Sequence, residues 1–171
     1  MNSLSKSLAA LLVLAVLAVG GYLGWSALDQ KPAAPDVTFN LLDGKTLDTP
    51  NLRGKVVLVN FWATSCTTCV AEMPQLVQTY DQFAPKGFDL VAVAMSYDSP
   101  AFVRNFVQQR QLPFTVAFDA SGAVAKSFQD VRLTPTSFLI DKSGHIVKQY
   151  VGPPDFAELH QLIDKLLAQN A

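Results

Sequence analysis

The chain has 171 residues, with 13 Lys and Arg against 14 Asp and Glu, a formal net charge of −1. Once an unusual N-terminal stretch is set aside, this length suffices for one domain with its own core but not comfortably for two. Nucleic acid recognition needs a basic face to neutralise phosphates, no run of Lys and Arg supplies one, and that class is excluded.

From Leu8 to Trp25 every residue is apolar or Gly, and no charge falls between Lys6 and Asp29. That length suits a hydrocarbon core of about 30 Å at a rise of about 1.5 Å per residue. Residues 1–28 therefore read as a membrane anchor or a signal segment. Ala18-Val19-Gly20 offers the small-x-small pattern of a cleavable signal. The continuation through Tyr22, Leu23 and Trp25, with aromatics suited to the interface, favours the anchor. Lys6 and the terminal amine favour a cytoplasmic N-terminus. Both readings export the remainder, which places the rest of a single-pass chain on the periplasmic side of the cytoplasmic membrane.

Residues 29–36, with Pro32 and Pro35, read as a short stiff linker. The domain is expected over 37–171. Val37–Leu41 alternates as a strand, Asp43-Gly44 signals a turn, and Lys45–Leu47 returns antiparallel. Val56–Phe61 is a β-branched run of the kind buried on both faces. Val70, Met73, Leu76, Val77 and Tyr80 then recur at helical spacing, with Pro74 expected to interrupt and kink the helix. Phe88–Met95 is a second buried strand. Ser99 is placed as an N-cap with Pro100 at the first helical position, and Phe102, Val103, Phe106 and Val107 mark one face. Thr115–Phe118 is a third strand and 123–128 a weaker helix. Thr136–Ile140 and Ile146–Val151 flank the turn Asp141-Lys142-Ser143-Gly144. Asp155 and Glu158 form a capping-box pattern that opens a last helix carrying Leu159, Leu162, Ile163 and Leu166. Strands alternating with helices, closed by a hairpin and a helix, predict an α/β domain with a mixed central sheet flanked by helices.

The chemistry rests on the two cysteines of the chain, Cys66-Thr67-Thr68-Cys69, set between a buried strand and a helix. Free N–H groups and the positive dipole end at a helix N-terminus stabilise a thiolate, the nucleophile of disulfide exchange. Two intervening residues let the second thiol attack a mixed disulfide made by the first. A structural disulfide closing so small a loop contributes only roughly 2 kcal/mol. A zinc site needs a second ligand pair, which His145 and His160 do not form. The histidines read as ordinary surface or hairpin residues, and nothing calls for a metal or other cofactor.

Phe61-Trp62-Ala63-Thr64-Ser65-Cys66-Thr67-Thr68-Cys69, followed by Glu72-Met73-Pro74, resembles the active-site segment of thioredoxins. The Glu-Met-Pro ending is similar to the membrane-anchored TlpA/ResA-like branch, and Thr134-Pro135-Thr136 resembles the family's cis-proline loop. The resemblance spans about Val37 to the C-terminus. It implies a thioredoxin-like fold with an N-terminal β-hairpin and a strand–helix unit inserted between Met95 and Phe118. It further implies that Cys66 attacks and Cys69 resolves, and that Thr134 and Pro135 offer backbone to a substrate. Trp62 is expected to pack beneath the site or contact the substrate. The partners implied are disulfide-bearing exported proteins and a membrane thiol–disulfide electron donor, often in the service of cytochrome c or cytochrome oxidase assembly. Two departures stand out. Ser65 replaces the usual Trp before the first Cys, and Asn60 replaces a buried Asp that would serve as proton acceptor. Glu72, three residues from Cys69 on one helix, is the candidate substitute, its alternative role being to complement the helix dipole.

Two rival readings share the fold. A peroxiredoxin-like peroxidase needs a Thr three residues before its peroxidatic Cys, where this chain has Ala63. A copper-delivery protein usually separates its cysteines by three residues and adds a partner His.

Overall fold

The structure, a computed structural model, describes residues 31–169 together with Leu17, Gly20 and Gly21. Residues 33–171 form one compact unit and residues 1–32 another. Nearly all of the expected membrane segment lies outside the described residues, and among those described no helix is long and apolar enough to cross a membrane.

The strands are β1 (Thr38–Asn40), β2 (Thr46–Asp48), β3 (Val56–Trp62), β4 (Phe88–Ala94), β5 (Thr115–Phe118), β6 (Thr136–Ile140) and β7 (Ile146–Val151). The helices of the domain are α1 (Thr67–Phe83), α2 (Pro100–Arg110), α3 (Ala123–Ser127) and α4 (Phe156–Leu167). β1 and β2 make the expected antiparallel hairpin. The main sheet runs β5-β4-β3-β6-β7, parallel across β5, β4 and β3 and antiparallel from there to β7. This is the thioredoxin-like α/β architecture, and α2 and β5 are the helix and strand expected between Met95 and Phe118.

Every residue of β3 is buried, and period-two alternation divides its side chains between two cores. Val56, Leu58 and Trp62 face the layer formed with Cys69, Met73, Leu76 and Phe83 of α1 and Leu159 and Ile163 of α4. Val57, Val59 and Phe61 face Phe39, Phe128 and Phe138 on the other side. There Phe128 is the hub, its ring centroid 5.4 Å from Phe61 and 5.3 Å from Phe138.

Four local expectations are corrected. Pro74 does not end α1, which continues through it to Phe83. Proline removes one N–H donor, and the buried stripe of Cys69, Glu72, Met73, Leu76, Thr79 and Phe83 supplies the packing that carries the helix on. Ser99 stands at the N-cap of α2 but its side chain caps nothing; its own N–H is taken by the neighbouring Asp98 carboxylate, 2.8 Å away. Phe102, assigned to the buried face of α2, is 66% exposed, while Val103 is buried. At α4 the cap is half the expected box: Asp155 accepts from Ala157 and Glu158 N–H groups, but the Glu158 side chain reaches Lys148 on β7 instead.

The turn at 141–144 gathers both ends of the domain. Ala33 bridges His145, and Ala34, buried, donates its N–H to the Gly144 carbonyl. The last two residues before Pro35 thus belong to the domain rather than to a free linker. On the same turn Lys142 Nζ donates to the carbonyls of Leu167 and Gln169, satisfying acceptors left open at the end of α4.

Candidate active site

β3 delivers the chain through Ala63 and Thr64 to Cys66, which caps α1. Its Sγ lies 3.1 Å from the Cys69 N–H and its carbonyl accepts from Val70. No acidic residue occupies the first turn of α1, so the positive end of the dipole is left to a sulfur anion. Cys66 and Cys69 are joined as a disulfide. Cys66 is half-buried and Cys69 fully buried, so only the first sulfur is open to an incoming partner.

The second wall comes from the other edge of β3. The Thr134–Pro135 peptide is cis, as the resemblance implied, immediately before β6. The Thr134 carbonyl oxygen stands 3.6 Å from Cys66 Sγ, and Thr134 is half-exposed. Pro135 is itself buried, its carbonyl taken by Gly152 N–H, so among the expected substrate contacts Thr134 is the one at the surface. Trp62 is fully buried with its ring 5.2 Å from Phe106; it supports the site from beneath and offers no face to a substrate.

Asn60 and Glu72, singled out separately in the sequence, meet in the core behind the disulfide. Alternation along β3 turns Asn60 toward α1, where its amide donates to Glu72 Oε1 at 3.1 Å and to Ser137 Oγ at 2.9 Å. All three side chains are buried. Glu72 Oε2 has no hydrogen-bond partner among the described residues. Burial, partly offset by the Asn60 amide, pushes the Glu72 carboxyl up to about 7. The acid missing from β3 is thus supplied from α1, on the same helical stripe as Cys69. That stripe was visible in the sequence; its register against Asn60 and Ser137 was not.

Two residues the sequence did not single out also belong to the site. Buried Asp98 accepts from Thr64 N–H at 2.5 Å and Thr64 Oγ1 at 2.7 Å, holding the segment that leads to Cys66. Tyr97 places its hydroxyl 3.1 Å from Thr134 Oγ1.

The comparisons with known proteins agree with this geometry. The redoxin family model matches residues 29–163. A thiol-disulfide oxidoreductase ResA from Bacillus cereus is 33% identical over 149 residues, covering 85% of this chain and 85% of its own. A Neisseria meningitidis protein solved in solution is 45% identical, covers 81% of this chain and 91% of its own, and superposes with a TM-score of 0.73. A thiol:disulfide interchange protein of the thioredoxin family from Chlorobium tepidum is 29% identical, with coverages of 81% and 98% and a TM-score of 0.73.

The buried carboxyl has a measurable consequence for stability. Its pKa rises from an ordinary 4.5 to about 7 on folding, so between those values the folded domain holds a proton that the unfolded chain has released. Stability is therefore full below pH 4.5, falls as pH rises through 7 and then levels, a loss of about 3 kcal/mol. In urea denaturation of the disulfide form, Glu72→Gln should remove this slope and be more stable than wild type at pH 8. Parallel pH profiles for the two proteins would contradict the assignment.

With its cysteine pair split between an accessible helix cap and a buried first turn, facing a cis-proline loop on a five-stranded mixed sheet, the chain belongs to the redoxin family of the thioredoxin superfamily and is a ResA-like thiol:disulfide oxidoreductase.

Proposed function

We propose that the domain reduces disulfides in exported proteins, held at the periplasmic face of the cytoplasmic membrane by residues 1–28. The observation that carries the reading is the asymmetry of the pair, with Cys66 accessible and Cys69 buried behind it. In the dithiol form the Cys66 thiolate attacks one sulfur of a substrate disulfide; that bond breaks and the other substrate sulfur leaves as a thiolate. Cys69 then loses its proton and attacks Cys66 Sγ, expelling the first substrate sulfur. Two electrons have passed to the substrate, and Cys66–Cys69 is left oxidised. A membrane thiol–disulfide donor returns two electrons by the same exchange in reverse. The apolar run from Leu8 to Trp25 supports export and anchoring. An oxidising compartment is where a dedicated reductant has work to do. Proteins of cytochrome c or cytochrome oxidase assembly are the substrates that the resemblance favours, among them apocytochromes c, whose haem-attachment motif presents two cysteines.

Glu72 is the group we assign to receive the Cys69 proton. Residues three apart on a helix are neighbours, both are buried, and a carboxylate that titrates near 7 can accept a proton near neutrality.

Three measurements test this scheme. The Cys66–Cys69 potential against glutathione should fall near the about −270 mV of thioredoxin; a value near about −120 mV would make the protein an oxidant. In cells, Cys69→Ser should accumulate mixed disulfides with exported proteins in salt-washed membranes, and Cys66→Ser should not. Equal trapping by Cys66→Ser would reverse the roles, and soluble adducts beginning near Gly21 would replace the anchor with a cleaved signal. Finally, Glu72→Gln should slow mixed-disulfide decay by about a hundredfold near neutral pH, recovering as Cys69 ionises unaided at higher pH. If Glu72 only complements the helix dipole, stopped-flow rates will match wild type at every pH.

A further inference from the structure

Large apolar side chains at least 60% exposed are few among the described residues: Leu17, Tyr97, Phe102, Leu133 and Val151. Three of the four in the domain lie beside the Thr134–Pro135 loop that faces Cys66. Leu133 immediately precedes Thr134, whose carbonyl faces Cys66 Sγ. Val151 pairs across the sheet with Thr136, next to Pro135. Tyr97 joins Thr134 through its hydroxyl. Apolar groups left in water together at one place mark a surface that something covers.

Tyr97 is also held there deliberately. It lies on the connection between β4 and α2, and the next residue, Asp98, spends its buried carboxylate on Thr64 N–H, Thr64 Oγ1 and Ser99 N–H. The connection therefore grips the segment before Cys66 through Asp98 and the cis-proline loop through Tyr97. Tyr97 is thus tied to the cis-proline wall by its own hydroxyl and to the Cys66 wall through the backbone it shares with Asp98.

We propose that Tyr97 is a specificity-determining residue, which with Leu133 receives an apolar side chain of the substrate two positions from its reacting cysteine. The spacing follows from strand geometry. A segment extended along the Thr134 backbone with its cysteine turned to Cys66 places its neighbours on the far side and the residues at plus and minus two on the near side, about 7 Å away. The ligand is thus an extended polypeptide with an aromatic or branched aliphatic residue at that spacing. The inference rests on disulfide exchange beginning at Cys66, as above.

The test uses the reduced full chain in detergent and two linear peptides, each with one cysteine held as a mixed disulfide with glutathione. The peptides are identical except for Phe or Asn at both positions two from the cysteine. Wild type should react about tenfold faster with the Phe peptide, the discrimination expected of one apolar contact. Tyr97→Ala should abolish the preference, Tyr97→Phe should keep it, and Leu133→Ala, which leaves both grips intact, should weaken it. Equal wild-type rates for the two peptides, or a Tyr97→Ala variant that slows both by one factor, would overturn the proposal. Failure of wild type to react with either peptide would instead overturn the exchange at Cys66 on which it rests.

Discussion

β3 is hydrogen-bonded along both edges and covered on both faces, which leaves it no freedom of register, tilt or depth. Slipping by one residue would carry Asn60 to the aromatic side and Phe61 toward α1. The rest of the molecule is hung from this constraint. Its C-terminal end launches the Cys66 segment, its parallel partner β4 ends at the loop that bears Tyr97 and Asp98, and its antiparallel partner β6 begins just after Pro135. Three loops from three separated parts of the chain arrive together because three adjacent strands end or begin at one level. The accessible sulfur needs no mobile lid to meet the Thr134 carbonyl; the sheet has already set that distance.

The same strand explains how the core tolerates a carboxyl. A lone buried carboxylate is costly, and the chain relieves the cost in part with the Asn60 amide and in part by raising the affinity for a proton. Filling the position with Leu would serve stability better. Keeping an ionisable group behind the disulfide, with one oxygen unpartnered, costs stability, a cost that the proton-acceptor role proposed above for Glu72 would account for. Asn60, read alone, is a lost acid; beside Glu72 it is the donor that orients the acid which moved to the helix.

Much of this was legible from local signals. Val56–Phe61 reads as a doubly covered strand because its apolar run is nearly continuous, broken only by Asn60, and Asp155 reads as a cap because it precedes an amphipathic stretch. Cys66 and Cys69 are conspicuous by their spacing and by the turn they occupy. Misreadings arose where a neighbour offered a better partner. Lys148 draws Glu158 from its box, whereas the Ser99 hydroxyl leaves the first turn of α2 uncapped although no other side chain among the described residues takes those N–H groups. Pro74 carries a local penalty that the tertiary packing of the α1 stripe outweighs. The pairings Tyr97 with Thr134 and Thr64 with Asp98 join residues 37 and 34 positions apart and depend on strand order, which no local pattern encodes.

The turn at 141–144 has a mechanical corollary. It lies at the end of β6 away from Pro135, so the strand separates it from the disulfide by about 15 Å. The entering chain at Ala33 and Ala34 and the departing chain at Leu167 and Gln169 are both fastened to that turn. The domain is therefore built like a plug, with its leads brought out at the back and its contacts at the front. Whatever is spliced onto either lead, or pulls on it, bears on the rear pole, and the reactive sulfur keeps its clearance.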